Sequence, residues 1–166
     1  MKGNKIQLVA TGRGLIGRGI RSFHSVMEEI LLDAEEEIVI AAYTISGNLK
    51  DLLVLLERAA AKGVRINIIL NKLDNQPQNV VKLLEKLSTE YPHMRIYDFQ
   101  HEIEDLHMKV IIADRRRAII GSANLTWKGM MENLELGVLI EGGLAEDVSR
   151  IIDEIRVFCT AREQPF

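Results

Sequence analysis

Apolar residues along the chain follow two alternating rhythms. Short, nearly continuous apolar runs mark strands at Lys5 to Ala10, Glu37 to Tyr43 (EIVIAAY), Val64 to Leu70 (VRINIIL) and Met94 to Phe99. Runs of this kind are expected of strands covered on both faces. Between them the apolar positions recur at helical spacing. Phe23, Val26, Met27, Ile30, Leu31 and Ala34 form one stripe, with Ser22 as its N-cap. Leu49, Leu52, Leu53, Leu56, Ala59 and Ala60 form a second, with Asn48 as cap, Asp51 in the first turn and Gly63 as the stop. Val80, Val81, Leu84 and Leu87 form a third behind Pro77, which suits a helix start.

The rhythm then changes. Leu106 to Ala113, Ala118 to Gly121 and Leu134 to Ile140 read as three strands, and no helix-length segment separates the first two. A last helix begins near Leu144 and carries the stripe Leu144, Val148, Ile151, Ile152, Ile155 and Phe158. The whole pattern predicts an α/β fold, a mixed, mostly parallel sheet of about seven strands flanked by helices on both faces. No repeat, low-complexity tract or linker divides the chain, so residues 1–166 are expected to form a single domain.

Composition narrows this picture. With 166 residues, 47% hydrophobic and 27% charged, the chain is of ordinary globular type. A domain of this size buries roughly two-thirds of its unfolded surface and needs no covalent staples. Its one cysteine, Cys159, excludes an internal disulfide and a cysteine-rich zinc site. Cys159 falls on the apolar side of the last helix and is expected to be a buried small hydrophobe. No apolar run approaches the ~20 residues of a membrane span, and the first residues read as a strand rather than a signal peptide. The expectation is a cytoplasmic protein without integral membrane association. The net charge of −3, from 21 Lys+Arg against 24 Asp+Glu, excludes polyanion binding by bulk charge. A nucleic-acid partner would need a local basic site.

The chemistry concentrates in one stretch, His107-Met-Lys109 through Asp114, then Gly121-Ser122-Ala-Asn124. Alternate strand residues share a face, so His107 and Lys109 point the same way while Met108, Val110 and Ile112 point into a core. Ser122 and Asn124 again share a face. If the two strands pair, these four side chains converge at one edge of the sheet. The group offers a nucleophile or base, a fixed cation and two neutral hydrogen-bonding groups, which suits an anionic tetrahedral centre such as a phosphodiester.

The spacing HxKx4Dx6GSxN resembles the HKD signature of the phospholipase D superfamily, complete over His107, Lys109, Asp114, Gly121, Ser122 and Asn124. A chance match somewhere in such a chain is on the order of one in a million at one in twenty per fixed position. Glu132-Asn133-Leu-Glu135, the glycine-rich link ahead of Ser22-Phe23 and the run Ile38 to Thr44 also look like this family. The resemblance implies that His107 attacks phosphorus and forms a covalent phosphohistidine. Lys109 and Asn124 would bind the non-bridging oxygens, and Ser122 would add a hydrogen bond to the phosphate or the histidine network. Glu135 would accept from the other ring nitrogen of His107 and fix its tautomer. Asp114 is expected to hold the turn or pair with an arginine, and Gly121 to allow close backbone approach. No metal or other cofactor enters this scheme, because lysine supplies the cation.

Enzymes of this family use two such motifs, and this chain has one. Small members solve this by homodimerisation, so the resemblance implies a symmetric homodimer with a shared active site. Small single-motif members are often endonucleases, which makes a metal-independent nuclease acting on DNA or RNA the leading expectation. The alternatives are a phospholipase or cardiolipin hydrolase-type lipid phosphodiesterase, and a nucleic-acid-binding subunit of a larger defence or restriction assembly.

Other polar residues have two readings each. Arg13 and Arg18, in the link Gly12 to Gly19, belong to a flexible loop or contact nucleic acid. Trp127, next to Lys128, stacks on a base or packs at the dimer interface. Arg115, Arg116 and Arg117 read as a solvated turn. The acidic Glu102, Glu104 and Asp105 are expected to face away from the site or to gate it. His24, His93 and His101 lack chemical company and read as surface or incidental histidines.

Overall fold

The computed structural model describes residues 3–17, 19–46 and 50–161, and only the backbone of Lys50, Thr160 and Ala161. Its strands are β1 (Lys5–Thr11), β2 (Arg21–Ser22), β3 (Glu37–Ala42), β4 (Arg65–Asn71), β5 (Met94–Phe99), β6 (Lys109–Ala113), β7 (Arg117–Gly121), β8 (Glu135–Glu141) and β9 (Thr160–Ala161). The helices are α1 (Phe23–Leu32), α2 (Lys50–Ala61), α3 (Gln78–Glu90) and α4 (Gly143–Val157). All the strands join one nine-stranded sheet in the order β2-β1-β8-β7-β6-β3-β4-β5-β9.

The expected α/β fold with a mixed sheet is present, with two corrections. The seven strands expected from the apolar runs are the seven long ones; β2 and β9 are two-residue edge strands too short to leave a pattern. The sheet is also not mostly parallel. Three pairings are parallel (β1–β2, β3–β4 and β4–β5) and five are antiparallel. The reason is the run β6-β7-β8, in which each strand pairs antiparallel with the next and which sits between β1 and β3.

Both faces are covered. Strand β3 is buried at all six positions, as its unbroken apolar run requires. Its residues Ile38, Ile40 and Ala42 pack with α1, α2 and α3, whereas Val39 and Ala41 join the core under α4. Ser22 caps α1 as expected, accepting the Ser25 N–H at 3.0 Å. Gly63 ends α2 with a left-handed φ of 87°. The expected cap Asn48 and the stripe residue Leu49 lie outside the described residues.

The last helix departs from its stripe. Ile152 is buried, but Ile151 is 53% exposed and Phe158, just past the helix end, is 79% exposed. The sheet extends under only part of α4, which packs on β7 and β8. Cys159 is half-buried rather than buried, beside apolar neighbours, and burial pushes its thiol up to about 11.

The β6–β7 turn is anchored to the rest of the fold. Asp114 and Arg115 have left-handed φ values of 54° and 56°, and the Arg116 N–H donates to the Ala113 carbonyl at 3.0 Å. The Asp114 carboxylate accepts the backbone N–H groups of Glu35, Glu36 and Glu37 at 3.0, 2.8 and 2.9 Å. Its expected turn-holding role is thus exercised on the entry to β3. Arg115, Arg116 and Arg117 are not merely solvated. Arg115 pairs with Asp153 at 2.6 Å and Glu37 at 3.3 Å, Arg116 with Glu36 at 3.2 Å, and Arg117 with Asp33 at 3.1 Å. These pairs tie the hairpin tip to neighbouring elements at the end of the sheet remote from His107.

Candidate active site

The expected convergence occurs at the edge where β3 and β4 end, β6 begins and β7 ends. His107 lies just ahead of β6. The strand starts at Lys109 rather than at Leu106, because the preceding backbone is held by a side chain: Asn71 Oδ1 accepts the Leu106 N–H at 2.8 Å. The Met108 carbonyl accepts the Tyr43 N–H at 2.9 Å. The Tyr43 ring lies 4.6 Å from the His107 ring, and the Lys109 ammonium sits 5.6 Å over the same tyrosine.

Lys109 and His107 are in direct contact. Lys109 Nζ lies 2.9 Å from His107 Nδ1 and donates to the His107 carbonyl at 3.0 Å. Partial burial lowers the pKa of the Lys109 ammonium, opposed by the negative charge of Glu135.

Glu135 opens β8 opposite the end of β1, paired with Thr11. It does not bond His107, which corrects the expectation. Its carboxylate receives the Ser122 hydroxyl and, at 3.1 Å, the Asn133 side-chain amide. Ser122 Oγ in turn accepts the Leu136 N–H at 3.2 Å. This follows from register: Gly121 faces Gly137 across β7 and β8, which brings Ser122 level with the start of β8. Gly121 is needed there, since a Cβ would come within 2.4 Å of the Phe23 ring.

Asn124 sits in the loop after Ser122. Its Oδ1 is buried without a partner among the described residues. The loop is shaped by Gly129, whose Cβ, if present, would lie 2.3 Å from the Asn124 carbonyl. Trp127 is 41% exposed and donates its indole N–H to Glu132 at 3.0 Å, and Lys128 is exposed at the start of a π-helical turn, Lys128–Glu132. Arg13 is exposed on the loop after Gly12, whose backbone lies against Asn133 and Leu134. The Lys128 carbonyl accepts the Asn133 N–H at 2.8 Å, so this turn lies close in the chain to Glu135. Arg18 lies outside the described residues.

Two groups escaped the sequence reading. One is Tyr43, visible only as the last apolar residue of the β3 run, although sites in open α/β sheets gather at such strand ends. The other is a clamp on the segment leading to His107. Asp105 pairs with Lys72 at 2.7 Å and accepts from Asn71 at 3.3 Å, and hydrogen bonds from Lys72 and Asn71 hold its carboxyl below the usual range. Asp105 therefore neither faces away nor gates the site; it secures the approach to His107. The other histidines have structural partners: His24 lies between Glu28 and Asp51, His93 against the Ala60 carbonyl at 2.8 Å, and His101 accepts the Glu104 N–H at 3.1 Å. Among the described residues, no three His, Cys, Asp or Glu side chains converge as metal ligands.

Residues 27–156 match the family described as cardiolipin synthase, PLD-like domain. The chain belongs to the phospholipase D superfamily. Among its superfamily relatives, the DISARM protein DrmC of Bacillus paralicheniformis is 24% identical over 139 residues, covering 84% of this chain and 58% of the relative. Cardiolipin synthase A of Serratia proteamaculans is 26% identical over 156 residues, covering 92% of this chain and 30% of the relative. The chain thus spans 58% of the first relative's length and 30% of the second's. Among solved structures, the phospholipase D family member Nuc from Salmonella typhimurium superposes with a TM-score of 0.79 at 19% identity, covering 97% of this chain and 99% of that one. At that identity the match shows the phospholipase D fold alone.

Proposed function

We propose that the chain is a metal-independent phosphodiesterase of the nuclease type, acting on DNA or RNA through His107 at a site shared by two copies. The observation that carries this reading is the contact of Lys109 with His107, 2.9 Å between Nζ and Nδ1, beside the Glu135–Ser122 pair. It joins a histidine nucleophile to a fixed cation. Two further observations support it. The Nuc likeness spans both chains almost end to end, so the whole of this chain corresponds to one compact relative. Asn124 Oδ1 is buried without a partner among the described residues, and turning that amide over would aim its Nδ2 donors at a phosphate oxygen instead.

In this reading the ring nitrogen of His107 that carries the lone pair forms a bond to phosphorus as the bond to the leaving oxygen breaks. The imidazolium of the partner subunit's His107 gives that oxygen its proton and becomes a neutral imidazole. Lys109 swings from His107 to a non-bridging oxygen and Asn124 meets another, stabilising charge as it develops. Water then attacks phosphorus as its bond to His107 breaks, losing its proton to the neutral imidazole of the partner's His107. Glu135 positions Ser122, and its charge favours the Lys109 ammonium against the effect of burial.

The second copy has a surface to meet. Ile6 and Leu8 of β1 and Leu136 of β8 share the α4 side of the sheet where α4 does not reach, and are 57%, 50% and 55% exposed. This apolar strip runs up to Ser122 and Glu135. No helix among the described residues is long and apolar enough to cross a membrane.

The likeness to a cardiolipin synthase favours a second reading, a lipid phosphodiesterase. A cavity of about 630 Å3 beside His107, with Phe99, Leu106, Met108, Ile155 and Phe158 on its walls, has the apolar character an acyl glycerol needs. The name of DrmC likewise leaves a defence assembly as a setting for the same chemistry. A panel of labelled single- and double-stranded DNA and RNA, assayed with chelator, tests the leading reading. The expected result is cleavage that disappears in His107→Ala. Inactivity on every nucleic acid with turnover of phosphatidyl substrates would replace it with the lipid reading.

A further inference from the structure

A second cavity, of about 580 Å3, opens on the α4 side at the end of the strands opposite His107. The period-two rhythm of β4 and β5 builds it. Arg65 and Asn67 on β4 share one face with Arg95 and Tyr97 on β5, and Arg156 reaches in from the last turn of α4. Three guanidinium groups therefore line one cavity in a chain whose net charge is −3.

The balance of partners leaves positive charge to spare. Arg65 and Arg95 are exposed, and neither has a carboxylate at ion-pair distance among the described residues. Arg156 is tied to Asp153 at 3.1 Å and lies 5.6 Å over the Tyr97 ring. The carboxylate on the wall, Glu37, is already held by Arg115 Nε at 3.3 Å and the Asn67 amide at 3.2 Å. Arginine forks with no internal acid are suited to phosphate, whose oxygens they grip in pairs.

This cavity and the site lie on the same side of β5 with the last turn of α4 between them, where Tyr97 is buried beneath Arg156 and Val157 is 81% exposed. Arg95, Tyr97 and Phe99 follow one another along β5, so Arg95 and Phe99 are about 13 Å apart. Phe99 lines the cavity that reaches His107, and so does Phe158, which is 79% exposed. An exposed ring between a phosphate-binding end and a phosphate-cleaving end offers a platform for an unpaired base.

We propose that Arg65, Arg95 and Arg156 form a backbone-phosphate site for a single-stranded nucleic acid, which passes over the end of α4 and Phe158 to place its scissile diester at His107. The proposal rests on the nuclease reading and names its substrate as an unpaired strand. It also explains how an acidic chain holds a polyanion, through a local site instead of bulk charge.

The test measures binding by fluorescence anisotropy in the full His107→Ala chain, which cannot turn over its ligand. The probes are labelled single-stranded oligonucleotides of about 16 nucleotides, as DNA and as RNA. Arg65→Ala/Arg95→Ala is expected to weaken binding about tenfold or more. It should also flatten the slope of log affinity on log salt by about 1.4, at roughly 0.7 per lost phosphate contact. Lys82→Ala/Lys86→Ala, on the exposed side of α3, removes the same charge and should change affinity less than about twofold. Equal losses in both pairs would overturn the site, as would wild-type affinity and slope in the arginine pair; the nuclease reading would survive either. No strand binding by the parent at low salt would remove both. Arginine-dependent sedimentation with phosphatidylglycerol vesicles but not with strands would overturn the proposal in favour of a lipid headgroup.

Discussion

Asn71 holds Leu106 from across the sheet edge. The amide oxygen at the end of β4 accepts the Leu106 N–H at 2.8 Å, one residue ahead of His107, and Asp105 bonds both Asn71 and Lys72. The position of His107 therefore depends on β4 as much as on its own strand.

Removing that clamp is expected to act on turnover more than on binding. Asp105→Ala frees Lys72 and loosens the approach to His107, and sub-ångström misplacement of a reacting group costs on the order of tenfold or more in rate. Steady-state kinetics should show a fall in kcat of about tenfold with KM changed less than about twofold. Because the pair is open to solvent, thermal unfolding should barely shift. An unchanged kcat would remove the clamp from the account.

Asp114 predicts a pH-dependent contribution to stability. Partial burial opposes its ionisation but is outweighed by the N–H groups of Glu37, Glu36 and Glu35, with Arg116 nearby, so its pKa falls below the ordinary value. The stabilisation is present above the unfolded pKa of about 3.9 and is lost as pH falls through the folded value. Asp114→Ala should cost about 1–2 kcal/mol at neutral pH, a few degrees in Tm for a chain of this size. The gap between variant and parent should narrow in acid. A gap that persists at low pH would mean the carboxylate is not its source.

Packing at the floor of the site gives a steric prediction. A Cβ on Gly137 would lie 2.5 Å from the Phe23 ring and 2.9 Å from the Gly121 Cα. Phe23 is buried and cannot yield, so Gly137→Ala should destabilise by about 2–3 kcal/mol. Phe23→Leu in the same chain should recover part of that loss, read as a non-additive double-mutant cycle in denaturant melts. Strict additivity would contradict the contact.

Lys109, whose ammonium Glu135 stabilises, contributes a limb to the loss of activity at alkaline pH. The reaction needs the Lys109 ammonium, and burial moves its pKa below the ordinary lysine value of about 10.4. Glu135 stabilises the ammonium, so Glu135→Gln should move the limb to lower pH as well as slow the reaction. A pH–rate profile of residual activity measures this; a limb unmoved or shifted upward would show that Glu135 does not act on Lys109.

The sequence carried the parts of this arrangement that are periodic or closely spaced. Seven strands and the helical stripes are local rhythms, and His107, Lys109, Ser122 and Asn124 lie within one short stretch. Contacts that close over distance left no such trace. Asp114 reaches Glu35 across 79 residues, and Asn71 reaches Leu106 across 35, so neither partner is visible from spacing. Ser122 competes for Glu135 because of the β7–β8 register, which a motif does not encode. The parallel bias failed because hairpin strands were inserted between β1 and β3. Phe158 belongs to the apolar stripe of the last helix yet is exposed, because a stripe identifies a helix face without saying how far the sheet extends beneath it.

The central claim is a covalent phosphohistidine at His107 formed without metal. Its most direct test is mass spectrometry of the chain quenched in alkali during turnover of a single-stranded substrate in chelator. The account predicts a phosphoryl-oligonucleotide adduct on the peptide containing His107, absent from His107→Ala. Sustained turnover by His107→Ala, or full turnover by the parent with no adduct on that peptide, would contradict it.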